Sequence, residues 1–531
     1  RIAADLEGKF DNGYNWETGF AYSNSKLDYR SNPDTLIVPL KNALLGYGGD
    51  NCDMDAGVPG ANGCLFFNPF SNGIETSASN GATNPNYQAE LANTQEVLDY
   101  VSGTRTSQKA TELLVLDGLL SGDLDIELDG GVVEFAVGTQ YRYESFSNEV
   151  NDLGNLAINP CPVMGETDCA NPTGVFHFRS GELNQDSSQS IYALFSELAL
   201  PVSDDLKMQI ALRYEDYGGD VGDTLDPKVS AQYTINDNFS LRGSASTTFR
   251  GPTLNQLEGS NTTLSYVGAP AAFKAVDTQG NGALAPESAV ALNFGVIGEF
   301  WDDRLFATVD FWSFDLSDPI IVENYNAVLA AAVAGKQPYV DQVQWTEPGN
   351  ANTVERIETK IINGADVKTS GIDVQLRLNI TDYWTLDMNG TYTAEYKVAG
   401  DDLSEAFDAA GFLNNTNSNR PIPKYKATMI NSFDFENHNI SLSAYYVSDY
   451  KDERDSLFTT NTRGQVIDSQ VQLDLSYNYI FNDDLTKVNL TVSNLTDEEP
   501  PFARLDLNYD PFTHNPLGRT FKISVVHKFG E

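Results

Sequence analysis

Three carboxylates stand close together near the start of this chain and could bind a metal ion. Asp50, Asp53 and Asp55 precede Gly57 at short spacing. Hard carboxylate oxygens spaced in this way suit Ca²⁺, so this segment is a candidate calcium site in a chain for which no cofactor is otherwise predicted. A solvated acidic loop tip is the favoured interpretation, since the segment is too short and irregular for an EF-hand loop.

The four cysteines form two close pairs, Cys52 with Cys64 and Cys161 with Cys169. Four cysteines allow three pairings, and the short spacing within each pair favours two local disulfides. Disulfides are typical of an oxidising compartment and would fasten long loops. The alternatives are free thiols or a metal site, although no histidine stands close to either pair.

The residues that commonly carry out catalysis are not arranged in a recognisable pattern. The four histidines, at positions 177, 438, 514 and 527, are scattered along the chain. No phosphate-binding loop, zinc motif or readable His/Asp/Ser set occurs. We therefore predict no catalytic residues and no enzymatic activity.

Charged residues recur on one side of segments whose hydrophobicity alternates with a period of two. After Asn238, for example, Phe239 and Leu241 share one face while Arg242 and Arg250 share the other. The charged residues predicted to face a wet interior are Arg142, Glu144, Arg213, Glu215, Arg242 and Arg250. The arginines could contact another domain or an anionic solute, or they could pair with neighbouring carboxylates.

Aromatic residues in one long connector are candidates for ligand contact. Phe66, Phe67, Phe70 and Tyr87 could stack on a sugar ring or a catecholate. Packing within the connector is the alternative. A short amphipathic helix is predicted nearby, over 89–100, with Leu91, Val97 and Leu98 on one side.

The elements that must position these residues are β-strands joined by connectors that alternate strictly between very short and very long. Tight polar turns are predicted at 11–13, 129–131, 203–205, 236–238, 301–303, 381–383, 436–439 and 482–484. Seventeen strands are predicted, at 2–10, 14–29, 105–128, 132–147, 187–202, 206–219, 227–235, 239–250, 287–300, 304–324, 353–380, 384–398, 422–435, 440–450, 466–480, 485–497 and 518–529.

This alternation of connectors favours a membrane β-barrel over a soluble sandwich. Transmembrane barrels have short periplasmic turns and long extracellular loops, with an apolar face toward lipid and a polar face toward the lumen. The mean hydropathy is −0.33, and no segment approaches the ~20 apolar residues of a membrane helix. We therefore predict an all-β, transmembrane antiparallel barrel over 1–531, with long extracellular loops at 30–104 and 148–186.

The net charge of −42 narrows the choice of partners. A nucleic-acid partner is excluded, because it would need a basic surface. The 28 Phe and 25 Tyr argue against a disordered acidic chain. An acidic outer surface could instead bind the divalent cations that bridge lipopolysaccharide.

The odd number of predicted strands also carries information. Bacterial single-chain barrels have an even number of strands and both termini in the periplasm. Because the first predicted connector is a tight turn, the chain is expected to start on a descending strand. An odd number of strands is therefore expected upstream of Arg1.

Several short motifs resemble those of TonB-dependent outer-membrane receptors. They are Phe249, Arg250, Pro252 and Leu254; Leu284, Pro286, Glu287 and Ser288; Asn494, Leu495, Asp497 and Pro500; and a closing strand at 518–529 that ends in Phe529, although Gly530 and Glu531 follow it. Their order and spacing cover nearly the whole chain. The long first connector also resembles that of a proteobacterial subgroup.

The resemblance implies a 22-stranded plugged barrel, of which 17 strands are expected in this chain. It implies a Gram-negative outer membrane, recognition of Phe529 by the barrel-assembly machinery, and contact with the TonB complex through a plug that lies outside this chain. The expected ligand is a scarce small molecule: siderophore-bound iron, cobalamin or an oligosaccharide. A passive porin and a loop-based adhesin or scaffold are the alternatives.

Overall fold

The computed structural model describes residues 1–169, 173–177, 179, 181–417, 420–454, 463–481 and 485–529. The predicted turn at 482–484 lies outside the described residues. Strands dominate. The first fourteen are β1 (Ile2–Lys9), β2 (Asn15–Arg30), β3 (Asp34–Thr35), β4 (Ser102–Gly103), β5 (Thr106–Leu128), β6 (Gly131–Val150), β7 (Gln185–Pro201), β8 (Leu206–Gly218), β9 (Gly222–Asn236), β10 (Phe239–Arg250), β11 (Ser260–Val267), β12 (Ala272–Gln279), β13 (Glu287–Phe300) and β14 (Leu305–Ser317).

The C-terminal part of the chain continues in the same way. Its strands are β15 (Ile320–Val322), β16 (Val343–Trp345), β17 (Val354–Asn363), β18 (Val367–Thr381), β19 (Trp384–Val398), β20 (Phe407–Asp408), β21 (Tyr425–Phe435), β22 (His438–Val447), β23 (Tyr450–Lys451), β24 (Val466–Ile467), β25 (Gln470–Ile480), β26 (Thr486–Ser493) and β27 (Thr520–His527).

Helices are short and lie between the strands. The α-helices are α1 (Ile37–Leu44), α2 (Gln95–Val101), α3 (Leu254–Glu258) and α4 (Tyr325–Val333), and short 3-10 helices occur at Met54–Ala56, Ser71–Gly73, Ala89–Leu91, Asp152–Gly154, Tyr339–Gln342 and Ala351–Thr353. Within the described residues, no helix has the length and apolar character needed to cross a membrane.

One large antiparallel sheet forms the wall of the molecule. The wall strands, each hydrogen-bonded to the next, are β1, β2, β5, β6, β7, β8, β9, β10, β13, β14, β18, β19, β21, β22, β25, β26 and β27. The two-residue strand β20 adds a short pairing to β19, which makes an 18-stranded sheet. The predicted 17-strand up-and-down order is confirmed.

The two faces of the wall differ in polarity, as the alternating sequence predicts. On β13, Val290, Leu292 and Phe294 are 48%, 47% and 54% exposed on one face. On the other face, Asn293 lies opposite Ser244 of β10. Large apolar side chains left uncovered along successive strands are typical of a surface that meets lipid, while the polar face lines a wet interior.

Aromatic side chains cluster where the wall strands meet the short turns. Ring pairs there include Phe10 with Trp16, Tyr14 with Phe135, Phe239 with Phe300, Tyr383 with Phe435, and Trp384 with Phe433. Amphipathic rings are favoured at the level of the lipid headgroups. This end of the wall therefore carries the aromatic girdle that membrane barrels have at an interface.

The strict alternation of connector length is wrong at one place. The connector between β8 and β9 has only three residues, 219–221, although it lies on the side of the long connectors. Strand β9 begins at Gly222, five residues before the predicted start. Gly218, Gly219 and Gly222 adopt positive φ angles of 71°, 57° and 82°, a conformation that glycine reaches without steric cost, so the turn can be tight.

Two long predicted strands are also wrong, because each one spans a break between two sheets. The segment 304–324 ends its wall strand at Ser317, and Asp318 turns away with a positive φ of 55°. The segment 353–380 contains β17, which leaves the wall, and β18, which begins at Val367. Both halves of each segment alternate in hydrophobicity, so the pattern alone could not separate them.

These displaced strands build a smaller sheet outside the wall. Strand β17 pairs in parallel with β12 and antiparallel with β15 and β16, while β12 pairs with β11. Its apolar side packs against α4 around Val267, Val328 and Ile357, each 0% exposed. Strands β11 and β12 lie in a connector for which the sequence predicts no strand.

Candidate functional site

Seven long connectors lie at the same end of the wall, and we call them the collar. They are the described residues within 31–105, 151–184, 251–286, 318–366, 399–424, 448–469 and 494–519. All seven follow wall strands that run in the same direction. The collar is therefore the part of the molecule that a solute meets first from that side.

In the first half of the collar, each connector contacts the next one along the chain. Leu36 of the first forms a bridge with Phe176 of the second. Glu182 of the second forms a bridge with Asn261 of the third. The short β8–β9 turn lies between these two connectors along the chain. The third and fourth connectors share the smaller sheet through the parallel pairing of β12 with β17.

The second half of the collar is linked in the same way. The Lys336 ammonium of the fourth connector donates a hydrogen bond to the Asp402 carbonyl of the fifth at 3.1 Å. The Leu413 amide of the fifth donates to the Lys451 carbonyl of the sixth at 2.7 Å. The Tyr450 hydroxyl of the sixth donates to Asp510 of the seventh at 2.7 Å. The seven connectors thus form one continuous series of contacts.

Buried polar groups hold the last two connectors together. Tyr450, Asp510 and His514 are 1%, 0% and 4% exposed, and the His514 Nε2 atom lies 3.1 Å from the Tyr450 hydroxyl. Burial and the hydrogen bond to the Asp510 carboxylate raise the pKa of Tyr450 above its ordinary value. Burial also lowers the pKa of His514. Breaking this group would leave buried polar atoms unpaired, which is costly.

A second polar group lies beside it. The buried Asp452 carboxylate accepts hydrogen bonds from Arg454 at 2.7 Å and from Arg504 at 2.9 Å. Although burial acts to raise the pKa of Asp452, the two guanidinium groups hold it below its ordinary value. Arg504 belongs to the seventh connector, so this charge pairing also joins it to the sixth.

A cavity of about 1190 Å³ lies inside the collar. It is bounded by the collar-side ends of β14, β18 and β19, by β15, and by residues of the fourth, fifth and sixth connectors. Its apolar lining includes Leu316, Ile321, Val322, Tyr396, Phe407 and Phe412. The volume slightly exceeds the ~300–1,000 Å³ of most small-molecule sites, so a bulky small molecule would fit.

The six charged residues predicted to face the interior lie on the polar face of the wall and are all paired. Arg142 contacts Glu215 at 2.9 Å and Glu144 at 2.8 Å, and Arg213 contacts Glu215 at 2.5 Å. Arg242 forms a bidentate pair with Asp310, and Arg250 one with Glu287. The pairing alternative therefore describes these residues, and the structure adds Asp310 and Glu287 as partners.

The Arg242–Asp310 pair reaches across an intervening strand. Arg242 on β10 lies opposite Gly295 on β13, which in turn lies opposite Asp310 on β14. A Cβ atom at Gly295 would overlap the Asp310 carboxylate. The glycine thus provides the space through which the ion pair passes, beside an interior cavity of about 510 Å³.

Both predicted disulfides are present. Cys52 is bonded to Cys64 and Cys161 to Cys169, and no free cysteine occurs in the described residues. The three carboxylates beside the first disulfide are exposed and are not gathered into a metal-binding group. Asp53 instead accepts a hydrogen bond from the Ala56 amide at 3.3 Å. The described part of the chain contains no cluster of three or more His, Cys, Asp or Glu placed to hold a metal.

The predicted ligand-contacting aromatics lie in the first connector, away from the large cavity. Phe66 and Phe70 are 57% and 71% exposed. Phe67 packs against the cluster of Ala43, Val97 and Val101, and Tyr87 is half-buried. The aromatic residues of the cavity, Tyr396, Phe407 and Phe412, were not singled out from the sequence. Of the three, only Tyr396 lies near the collar-side end of a wall strand, whereas Phe407 and Phe412 lie well inside the fifth connector.

The helix predicted at 89–100 is a 3-10 turn followed by α2, which begins after Thr94. The Thr94 side chain accepts a hydrogen bond from the Val97 amide and so caps the helix. Val97 is 1% exposed as expected, whereas Leu91 and Leu98 are 41% and 37% exposed. At the C-terminal end of the wall, Phe529 is 88% exposed, and its ring contacts His527.

Comparison with known proteins shows which proteins this chain is similar to. Residues 2–495 match the family described as TonB dependent receptor-like, beta-barrel. The chain is 23% identical over 362 residues to a probable TonB-dependent siderophore receptor, PirA, of Acinetobacter baumannii. That alignment covers 64% of this chain and 43% of the relative.

Solved structures agree on the fold. The siderophore receptor PirA from Acinetobacter baumannii superposes with a TM-score of 0.59 at 17% identity, over 99% of this chain and 62% of that one. A mutant of the ferric enterobactin receptor PfeA from Pseudomonas aeruginosa gives a TM-score of 0.60 at 14% identity, over 98% and 60%. The chain thus spans less than two thirds of the length of these relatives.

Proposed function

We propose, on the premise that this chain belongs to the TonB-dependent receptor-like β-barrel family, that it captures a scarce solute at its collar and takes part in its energised import. The family is one of transporters and receptors in the outer membrane of Gram-negative bacteria, and this barrel spans that membrane. In such barrels the long connectors face outward. The collar is therefore the proposed receiving surface.

The continuous series of collar contacts, with a cavity of about 1190 Å³ bounded by three of its connectors, is the observation that carries the proposal. A passive pore needs an open mouth, whereas these seven connectors contact one another in series and are further fastened by two disulfides. Such an arrangement is suited to holding a ligand in one geometry, because a preorganised site loses less conformational entropy on binding.

Siderophore-bound iron is the first candidate solute, with cobalamin and oligosaccharides as further candidates. The relatives named above are siderophore receptors, which supports the first choice. The proposed partners are the TonB complex, contacted through a plug domain; the barrel-assembly machinery, through Phe529; and lipopolysaccharide around the wall. A calcium ion at Asp50, Asp53 and Asp55 stays a prediction.

The test is uptake of radiolabelled iron by a Gram-negative host that lacks its own siderophore receptors and expresses the full gene product. Uptake of at least one ferric siderophore should depend on expression and should stop when a protonophore collapses the proton gradient. A host expressing the receptor without functional TonB serves as the control. Uptake that survives loss of the gradient would identify a passive porin instead.

A further inference from the structure

The charge of the collar cavity is the feature that the proposed function does not yet use. Its lining contains five carboxylates, those of Glu323, Asp401, Glu405, Asp408 and Glu453, and its described lining has no lysine, arginine or histidine. Four other cavities each include a cation: Arg242 in two of them, Arg30 in the third and Lys109 in the fourth. The collar cavity is thus distinguished by its five carboxylates, which no cation in the described lining offsets.

Hydrogen bonds hold most of these carboxylates in place without neutralising them. Asp401 accepts from the amides of Leu403 at 2.8 Å and Ser404 at 2.7 Å. Glu453 accepts from the amides of Asn414 at 2.9 Å and Thr416 at 2.7 Å. These donors carry no net charge, so they orient the carboxylates without pairing them. Arg454, the next residue after Glu453, forms its ion pair with Asp452 at 2.7 Å and interacts with Glu453 only as a weaker, secondary partner.

The two remaining hydrogen-bonded carboxylates also accept hydrogen bonds from uncharged donors. Glu323 accepts from the Gln342 side chain at 2.8 Å and the Lys360 amide at 2.9 Å. Asp408 accepts from the Tyr396 amide at 3.0 Å. Lys397 lies opposite Asp408 in the strand register, but its ammonium pairs with Glu395 at 2.5 Å and interacts with Asp408 more weakly. Glu405 is exposed in the fifth connector.

An apolar surface completes the cavity. Ile321 and Val322 of β15 remain 41% and 50% exposed there. These aliphatic side chains line the same cavity as Phe407 and Phe412, and the apolar part of a ligand would remove that surface from water. The cavity therefore offers an apolar wall together with a negative potential.

We propose that this cavity binds a small amphipathic ligand that carries an apolar body and a cationic group. This inference rests on the proposed function and specifies the class of solute. Among iron complexes, a tris-hydroxamate of Fe(III) is neutral at the metal, and a pendant amine makes the whole complex cationic. A tris-catecholate of Fe(III) is strongly anionic and would be repelled by the five carboxylates.

Binding is measured on the purified full-length receptor by isothermal titration with two ferric complexes of opposite charge, ferrioxamine B and ferric enterobactin. We expect ferrioxamine B to bind more tightly, with an affinity that falls as salt is added, because salt screens the attraction between ligand and cavity. Tighter binding of ferric enterobactin would overturn the proposal.

Charge reversal at one cavity position supplies the second test. Glu405→Lys should weaken ferrioxamine B binding about three- to tenfold, since one attractive charge becomes repulsive. Glu90→Lys is the matched control, because Glu90 is equally exposed but lies in the first connector; it should leave the affinity unchanged. Equal affinities for the wild type and Glu405→Lys would also overturn the proposal.

Binding and transport are measured separately, so the two proposals fail separately. Energised uptake of an anionic complex that is insensitive to Glu405→Lys would leave the receptor function standing and remove the cationic ligand class. Binding of ferrioxamine B that responds to Glu405→Lys, without any energised uptake, would retain the ligand class and remove the transport proposal.

Discussion

At the scale of single residues, the neighbouring groups determine whether a charged side chain can be buried and which partner it reaches. Asp452 keeps its charge in a buried position because Arg454 and Arg504 both donate to it. Arg242 reaches Asp310 because the residue between them has no side chain. Both arrangements make predictions about substitutions that change few atoms.

The first prediction concerns acid sensitivity of the collar. The folded-state pKa of Asp452 lies below its unfolded value. The stability that the ionised carboxylate contributes is therefore fully present above about pH 4 and is lost as the pH falls through the folded-state pKa. Asp452→Asn should remove ~2 kcal/mol of local stability at neutral pH and flatten this pH dependence. Hydrogen exchange of residues 448–454 between pH 3 and pH 7 measures both effects.

The control for this prediction is Asp468→Asn, in the same connector. Asp468 is exposed, and its substitution should leave the hydrogen exchange of residues 448–454 unchanged at every pH. If Asp452→Asn and wild type lost protection in parallel on acidification, the carboxylate of Asp452 would not be the group that responds.

The second prediction concerns the interior ion pair. Gly295→Ala should separate Arg242 from Asp310, because the added methyl group would occupy the position of the carboxylate. The expected cost is ~1–3 kcal/mol, the usual range when a buried acceptor loses its donor. Urea unfolding of the purified barrel, followed by the gel shift between folded and unfolded forms, measures the change.

Gly243→Ala is the matched control, since it also lies in the wall but its nearest neighbouring atom would be 3.5 Å from the added carbon. It should unfold within a few tenths of a kcal/mol of wild type. If both variants unfolded alike, the space at Gly295 would not be needed by the ion pair.

At the scale of elements, the sequence predicts the wall well and the collar poorly. Wall strands such as β8 and β10 alternate between lipid and interior, and this period-2 pattern is local, so it can be recognised one segment at a time. The smaller sheet depends instead on a pairing between Ala275 and Arg356. No local pattern encodes such a distant pairing, so the sequence predicts neither β11 nor β12 and predicts one strand where β17 and β18 are separate.

The candidate site could be predicted only in part for the same reason. The disulfides follow from short spacing, and the ion pairs of Arg142 and Arg213 from charges two residues apart on one face. The cavity combines residues of three connectors. Its aromatic residues therefore gave no recognisable grouping along the sequence.

The disulfides provide a prediction for the first connector. Replacing Cys52 and Cys64 with serine should lower the local free energy of unfolding by about 3 kcal/mol. The reason is that the disulfide closes a loop and so lowers the conformational entropy of the unfolded chain. Limited proteolysis should then cleave between residues 44 and 64, while the wall stays resistant. The double replacement at Cys161 and Cys169 is the control, because it should sensitise only the second connector. Resistance in both variants would contradict the prediction.

At the scale of the whole molecule, the arrangement of connectors fixes the orientation of the barrel in the membrane. Short turns carry the aromatic girdle on one side, and the collar lies on the other. Because long connectors of outer-membrane barrels face outward, the collar is assigned to the extracellular side and the short turns to the periplasmic side.

Cysteine labelling tests this orientation. All four native cysteines are disulfide-bonded, so a membrane-impermeant maleimide should react only with an introduced thiol. Ser79→Cys, in the first connector, should be labelled in intact cells. Asp204→Cys, in the turn between β7 and β8, should react only after the outer membrane is permeabilised. The opposite labelling pattern would show that the barrel has the reverse orientation in the membrane.

The parallel pairing of β12 with β17 has a consequence for the order in which the protein matures. Ala275 and Arg356 pair directly, yet β13 and β14 lie between them along the chain and belong to the wall. The entropy of closing so long a loop makes this pairing slow when it must form alone. Once β13 and β14 are in place, the two segments are held near each other and the search becomes short. The smaller sheet should therefore close after the neighbouring wall, and the receiving surface should become competent later than the pore beneath it.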